Sequence, residues 1–160
     1  MLPELAEHHG MAVLEQRLPM LIEHDPAVRE IMERHQVGDK EVRRAYLKLF
    51  QQTTQQWARG ELEVPDLEPW PVFRKRVAQS IDQIVRENGG GKTVAAFTSG
   101  GVVAAAVGLA LNLHDEQIMA LSWVVRNASS NEFLFSTERW SLHTFNTMPP
   151  FDRADLLTYV

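Results

Sequence analysis

The sequence contains no cysteine, which excludes a disulfide framework, a thiolate metal site and a cysteine nucleophile. It also lacks a basic surplus. With 16 Lys and Arg residues against 21 Asp and Glu residues, the net charge is -5, which argues against a protein that binds nucleic acid by neutralising phosphates. The longest apolar run, from Gly100 to Leu111, is shorter than the roughly 20 residues that span a bilayer. No basic, apolar leader opens the chain. We therefore expect a cytoplasmic protein with neither a nucleic-acid nor a membrane partner.

The composition that is present indicates a folded domain. The chain has 160 residues, of which 44% are hydrophobic and 23% charged, so that residues 1–160 can bury a core as a single domain. Apolar spacing and cap residues predict a helix over residues 11–18 that Pro19 interrupts. They predict further helices from Pro26 and over residues 40–59, 71–87, 102–111 and 115–121. Three strands are predicted, over residues 93–98, 131–136 and 140–145, the last two as an antiparallel pair.

The most informative segment is T-V-A-A-F-T-S-G-G, residues 93–101, where an apolar strand runs through a Ser-Gly-Gly corner into a helix. The first turn of a helix offers unpaired N–H groups and the positive end of the macrodipole, a combination that binds anions. We expect Ser99, Gly100 and Gly101 to bind phosphate there. Serine is also a common helix cap, so a capping role alone could explain Ser99.

Two other clusters of charged residues say less about function. Glu7-His8-His9-Gly10 has no third ligand spaced nearby, so we interpret it as an exposed loop and predict no metal site. Arg74, Lys75 and Arg76 fall in a predicted helix, where a solvated face is the simpler interpretation.

Five segments, in order along the chain, carry a family resemblance. They are L-P-E-L-A-E-H-H-G-M-A-V-L, E-P-W-P-V-F-R-K-R-V, the Ser-Gly-Gly corner with its helix, L-S-W-V-V-R-N-A-S-S-N-E-F and S-L-H-T-F-N-T-M-P. Together they resemble the C-terminal half of the histidine phosphatase superfamily, in its phosphoglycerate-mutase-like branch. The resemblance implies a three-layer α/β fold with a mainly parallel sheet, a core in residues 70–160 and a helical insertion in residues 13–69.

The resemblance also implies a chemistry. In such enzymes a histidine of an N-terminal Arg-His-Gly motif attacks phosphorus, arginines and a second histidine bind the phosphoryl oxygens, and a carboxylic acid protonates the leaving oxygen. Carried over, Glu7 matches the acid and Ser99 falls where most members have the second histidine. The partner is a small phosphorylated substrate or free phosphate, and no metal or other cofactor is implied.

The Arg-His-Gly segment belongs ahead of Met1 on this matching. We therefore expect a fold that is incomplete at its N-terminus, an impaired activity, and a predicted strand at residues 93–98 that lacks its neighbour and exposes apolar side chains.

Two alternatives remain open. A non-catalytic protein of this fold could dimerise through the exposed strand. A serine hydrolase could use Ser99 with His143 or His114 and an acid such as Asp152, although the sequence around Ser99 is not G-x-S-x-G.

Overall fold

The computed structural model of the chain describes residues 3–33 and 40–148. After a 3-10 turn at Pro3–Leu5, the elements are α1 (Gly10–His24), α2 (Pro26–Glu33), α3 (Lys40–Ala58), α4 (Trp70–Asn88), α5 (Gly100–Leu111), α6 (Asp115–Ser122), β1 (Ser130–Ser136) and β2 (Arg139–Thr147). They divide into two compact units. One runs from His9 to Trp70, and the other combines the residues up to His8 with those from Pro71 onward.

The first unit is helical. Helix α1 packs on α2 and α3, and α2 packs on α3. Val13 and Leu14 of α1 are fully buried, and the ring of Trp57 meets that of Trp70 edge to face, with centroids 5.4 Å apart. Asp25 opens α2 as predicted, since its Oδ1 accepts from the N–H of Ala27 at 2.9 Å.

The predicted interruption at Pro19 is wrong, because α1 continues through it to His24. A proline inside a helix removes one backbone hydrogen bond and crowds the preceding turn. Burial of Val13 and Leu14 and packing on two neighbouring helices stabilise the helix around the proline, so tertiary contacts override the local signal.

The second unit is built around α5. Most of this helix is buried, including Val102, Ala104, Ala105 and Val107. It packs against α6 and β2, and the indole N–H of Trp140 in β2 donates to the carbonyl of Ala106 at 3.3 Å. A helix that is apolar all round must be covered on several sides, which explains its central place in this unit.

The predicted pair of antiparallel strands is present as the β1–β2 hairpin. Ser136 pairs with Arg139 across a two-residue turn, and Phe133 stacks on Trp140 with ring centroids 4.4 Å apart. The pairing is irregular near Glu132, between Ser130 and Phe133. The sequence predicted this hairpin because two strand-like segments flank a short polar turn.

The prediction of a strand at residues 93–98 is wrong. These residues form neither helix nor strand, and all are exposed. A strand requires a hydrogen-bonded neighbour, and in residues 3–33 and 40–148 the sheet consists of β1 and β2 alone. The mixture of helices and strands is consistent with the α/β class, whereas a mainly parallel, three-layer sheet is not seen there.

The helices within the described ranges do not include one that is both long and apolar enough to cross a membrane.

Gly108 in α5 lies where α6 approaches most closely. A Cβ atom at this position would lie 2.4 Å from both Cγ1 and Cδ1 of the buried Ile118. We expect Gly108→Ala to destabilise the protein by about 1–3 kcal/mol, because overpacking outweighs the gain in helix propensity. Urea unfolding measures the change. Gly90→Ala is the control, since a Cβ there meets nothing within 4 Å. An unchanged unfolding midpoint for Gly108→Ala would contradict the close packing.

Candidate functional site

The candidate site lies at the N-terminus of α5. Ser99 is the N-cap residue, with φ -100° and ψ 171°, and Gly100 and Gly101 form the buried first turn. The extended backbone at Ser99 turns the chain into the helix, which leaves the first N–H groups without helical acceptors. This geometry gives the corner its partial positive charge.

An anion from the chain itself already lies at this corner. Oε2 of Glu7 accepts a hydrogen bond from the N–H of Gly101 at 2.9 Å, and Oε1 accepts from the N–H of His8 at 2.8 Å. A Cβ atom on Gly101 would lie 2.1 Å from Oε1 of Glu7, so only glycine permits this approach. The structure thus brings Glu7 into contact with Gly101 of the corner, in the turn that also contains Gly100.

Ser99 completes the corner without capping it through its side chain. The hydroxyl makes no cap hydrogen bond, and its Oγ is buried with no partner among the residues described. A buried hydroxyl without a partner costs free energy, which a bound acceptor or donor would recover. The N–H groups of Gly100 and Val102 likewise meet no acceptor within the described ranges.

His8 is a site residue that sequence reasoning missed. Glu7-His8-His9-Gly10 was expected to be an exposed loop, and His9 is exposed, but the His8 side chain is only 12% exposed. Its Nε2 lies 3.5 Å from Oε1 of Glu7, and its ring meets Phe73 edge to face at 5.2 Å. The expectation failed because the aromatic partner comes from α4, far away in the sequence.

The basic cluster of α4 also differs from the solvated face expected of it. Arg74 forms an ion pair with Asp115 at the start of α6. Arg76 is half-buried, lies 4.8 Å from the centroid of the Phe73 ring and donates to the backbone carbonyls of Glu4, Ala6 and Glu7. Lys75, the third member of the cluster, is exposed as expected. Helix periodicity could not predict these contacts of Arg74 and Arg76, because their partners lie far away in the sequence.

The arrangement offers hydrogen-bond donors and a carboxylate, and lacks the features of two other kinds of site. No group of three His, Asp or Glu side chains that could bind a metal occurs among the described residues. His143 and His114 are exposed, and neither forms a hydrogen bond with Ser99. Asp152, the acid of the hydrolase alternative, lies outside the described residues.

Comparison with known proteins identifies the family. The family model described as histidine phosphatase superfamily (branch 1) matches residues 8–148, and the chain therefore belongs to this superfamily. Ser99, Gly100, Gly101 and Arg76 lie within the matched range, and Glu7 directly precedes it. Membership supports a function of the phosphatase or mutase type. No match to the chain was found among curated proteins, and none among solved structures.

The contact between Glu7 and the helix N-terminus can be tested with Gly101→Ala. The added methyl group displaces the carboxylate, so a charge-assisted hydrogen bond is lost, while alanine recovers some helix propensity. We expect a net destabilisation of about 1–2 kcal/mol in urea unfolding. In a Glu7→Ala background the same substitution should cost less, with the remaining cost due to the His8 ring, whose Cδ2 would lie 2.5 Å from the added Cβ atom. Equal costs in the two backgrounds would show that the carboxylate does not lie at Gly101.

Proposed function

We propose that the corner formed by Glu7, Ser99, Gly100 and Gly101 binds the phosphoryl group of a phosphate monoester, for hydrolysis or transfer of the histidine phosphatase type. The observation that carries the proposal is the carboxylate of Glu7 on the N–H of Gly101, at 2.9 Å. A corner that accepts one oxyanion has the donors and the dipole that a phosphoryl group requires.

Donors for the phosphoryl oxygens remain when Glu7 keeps its place. The Ser99 hydroxyl and the N–H groups of Gly100 and Val102 lie in the same turn and meet no acceptor in the described ranges. Three such donors can bind the oxygens of a phosphoryl group and stabilise the charge that spreads over them in the transition state. The small partners implied are a phosphate monoester or free phosphate.

Glu7 is the proposed general acid. In its protonated form it can give its proton to the leaving oxygen, and the hydrogen bonds from Gly101 and His8 fix the direction of the carboxyl group. Ser99 is neutral, so it stabilises developing charge less than an imidazolium would. Neither Glu7 nor Ser99 is a poised nucleophile. Residues 1–160 are therefore proposed to supply the acid and the binding corner, with impaired turnover.

Phosphate binding tests the corner directly. We expect inorganic phosphate to shift the amide resonances of Gly100, Gly101 and Val102 in 15N-labelled protein. Ser99→Ala should weaken the affinity about tenfold, because a hydrogen bond to a charged group is lost. Ser136→Ala, in the turn of the hairpin, is the control. Phosphate-dependent shifts that ignore the corner, or an unchanged affinity in Ser99→Ala, would contradict the proposal.

Turnover is a separate prediction. The 160-residue chain should bind an aryl phosphate but release phosphate at the background rate, because binding and proton donation do not replace nucleophilic attack. Release of the aryl alcohol, followed by absorbance, measures this. Steady turnover abolished by Ser99→Ala would indicate a serine mechanism, and turnover abolished by His8→Gln would make His8 the nucleophile.

A second candidate function, association of two copies without catalysis, is favoured by the exposed segment at residues 93–98. Phe97 is 98% exposed and Val94 is 39% exposed, and the backbone between them has no strand partner in the described ranges. Aromatic and β-branched side chains next to unpaired backbone are typical of an edge that pairs with another chain. Antiparallel pairing of two such segments would satisfy both backbones and cover both phenyl rings.

Association predicts a molecular mass that rises with concentration in light scattering. Phe97→Lys should make the protein monomeric, since a charge cannot be covered in such an interface. Leu134→Lys is the matched control, because Leu134 is an exposed apolar residue on β1, with 56% exposure. A monomer at all concentrations, or equal effects of the two variants, would count against pairing through residues 93–98.

A further inference from the structure

Glu7 lies in a part of the backbone that secondary structure does not stabilise. Residues 6–9 form neither helix nor strand, and they follow a single 3-10 turn closed by the N–H of Ala6 and the carbonyl of Pro3. One such turn is weakly stable by itself, so other groups must fix the position of this segment.

Side chains provide that support through four successive carbonyl groups. Nη1 of Arg76 donates to the carbonyls of Glu4 and Ala6 at 2.5 and 2.8 Å, and Nη2 donates to that of Glu7 at 3.4 Å. The hydroxyl of Thr98 donates to the intervening carbonyl of Leu5 at 2.7 Å. Three of the four bonds thus come from one guanidinium group.

The guanidinium is itself placed by packing. Arg76 follows Phe73 by one helical turn of α4 and lies 4.8 Å from the centroid of its ring, which is fully buried. The edge of the same ring contacts His8, the residue after Glu7. Arg76 therefore supports the backbone that leads into Glu7, and Phe73 contacts the side chain of His8, the residue that follows it.

We propose that Arg76 is a positioning residue for Glu7. It holds the carbonyl groups of Glu4, Ala6 and Glu7 and so places the Glu7 carboxylate on the N–H of Gly101. Its role depends on the planar fork of arginine, whose N–H groups point in fixed directions. Lysine has the charge and an apolar stem for Phe73, but a single ammonium group cannot reach three carbonyls in this geometry. The value of this placement for catalysis rests on the proposed function of Glu7, whereas the placement itself does not.

Hydrogen exchange at the Gly101 amide tests the proposal in the full chain, without a substrate. We expect Arg76→Lys to speed this exchange about tenfold or more, as loss of a hydrogen bond to a charged acceptor requires. In a Glu7→Ala background the exchange is already fast, and Arg76→Lys should add nothing. A residue that only stabilises the fold would speed exchange in both backgrounds. Lys75→Ala, next to Arg76 on α4, should leave the Gly101 amide unchanged.

Three results would overturn the proposal. They are unchanged exchange at Gly101 in Arg76→Lys, equal acceleration in both backgrounds, and loss of protection at Val107 inside α5, which would reveal global opening instead of a local effect. Inorganic phosphate added to the same samples separates the two proposals. If phosphate shifts no resonance at the corner while Arg76→Lys still frees the Gly101 amide, the proposed function fails and the positioning role stands.

Discussion

The hydrogen bond between the Gly101 N–H and the Glu7 carboxylate is the interaction on which the candidate site depends. It joins residues 94 positions apart and places a negative charge at the positive end of a buried helix. The bond exists because Gly101 has no side chain, since a Cβ atom would occupy the space of the carboxylate. The same interaction shows that the corner accommodates a carboxylate, that of Glu7.

The segment that leads into this corner makes fewer stabilising contacts than the corner itself. Residues 93–98 lead into α5 without a strand partner among the described residues, and the contact of the Thr98 hydroxyl with the Leu5 carbonyl fixes only their last position. The corner is thus stabilised from one side by α5 and from the other by side chains of α4, not by a sheet. The two proposed functions use different parts of one short segment: phosphate binding would use its end, and pairing of two copies would use its exposed backbone.

The electrostatics of the corner define what it can do alone. A helix dipole, a hydroxyl and backbone N–H groups can bind a phosphoryl group, but they are partial charges. The guanidinium group of Arg76 donates to carbonyl groups of the segment that carries Glu7 and so supports its backbone. Neutral donors at the corner and a cation that supports the backbone are consistent with the proposed function, in which the corner binds phosphate and turnover is impaired.

The sequence by itself determined the family, a helix at residues 102–111, which the structure begins at Gly100, and the hairpin, because caps, glycines and apolar spacing act over a few positions. Local sequence signals also led to two wrong predictions. Pro19 suggested a break that packing overrides, and residues 93–98 have strand-like side chains but no partner. Only the tertiary structure decided that the Glu7 carboxylate lies on Gly101, that His8 is covered by Phe73 and that Arg76 supports the backbone of residues 4–7. Each of these contacts joins segments roughly 65 to 95 residues apart, at distances set by packing that no local pattern encodes.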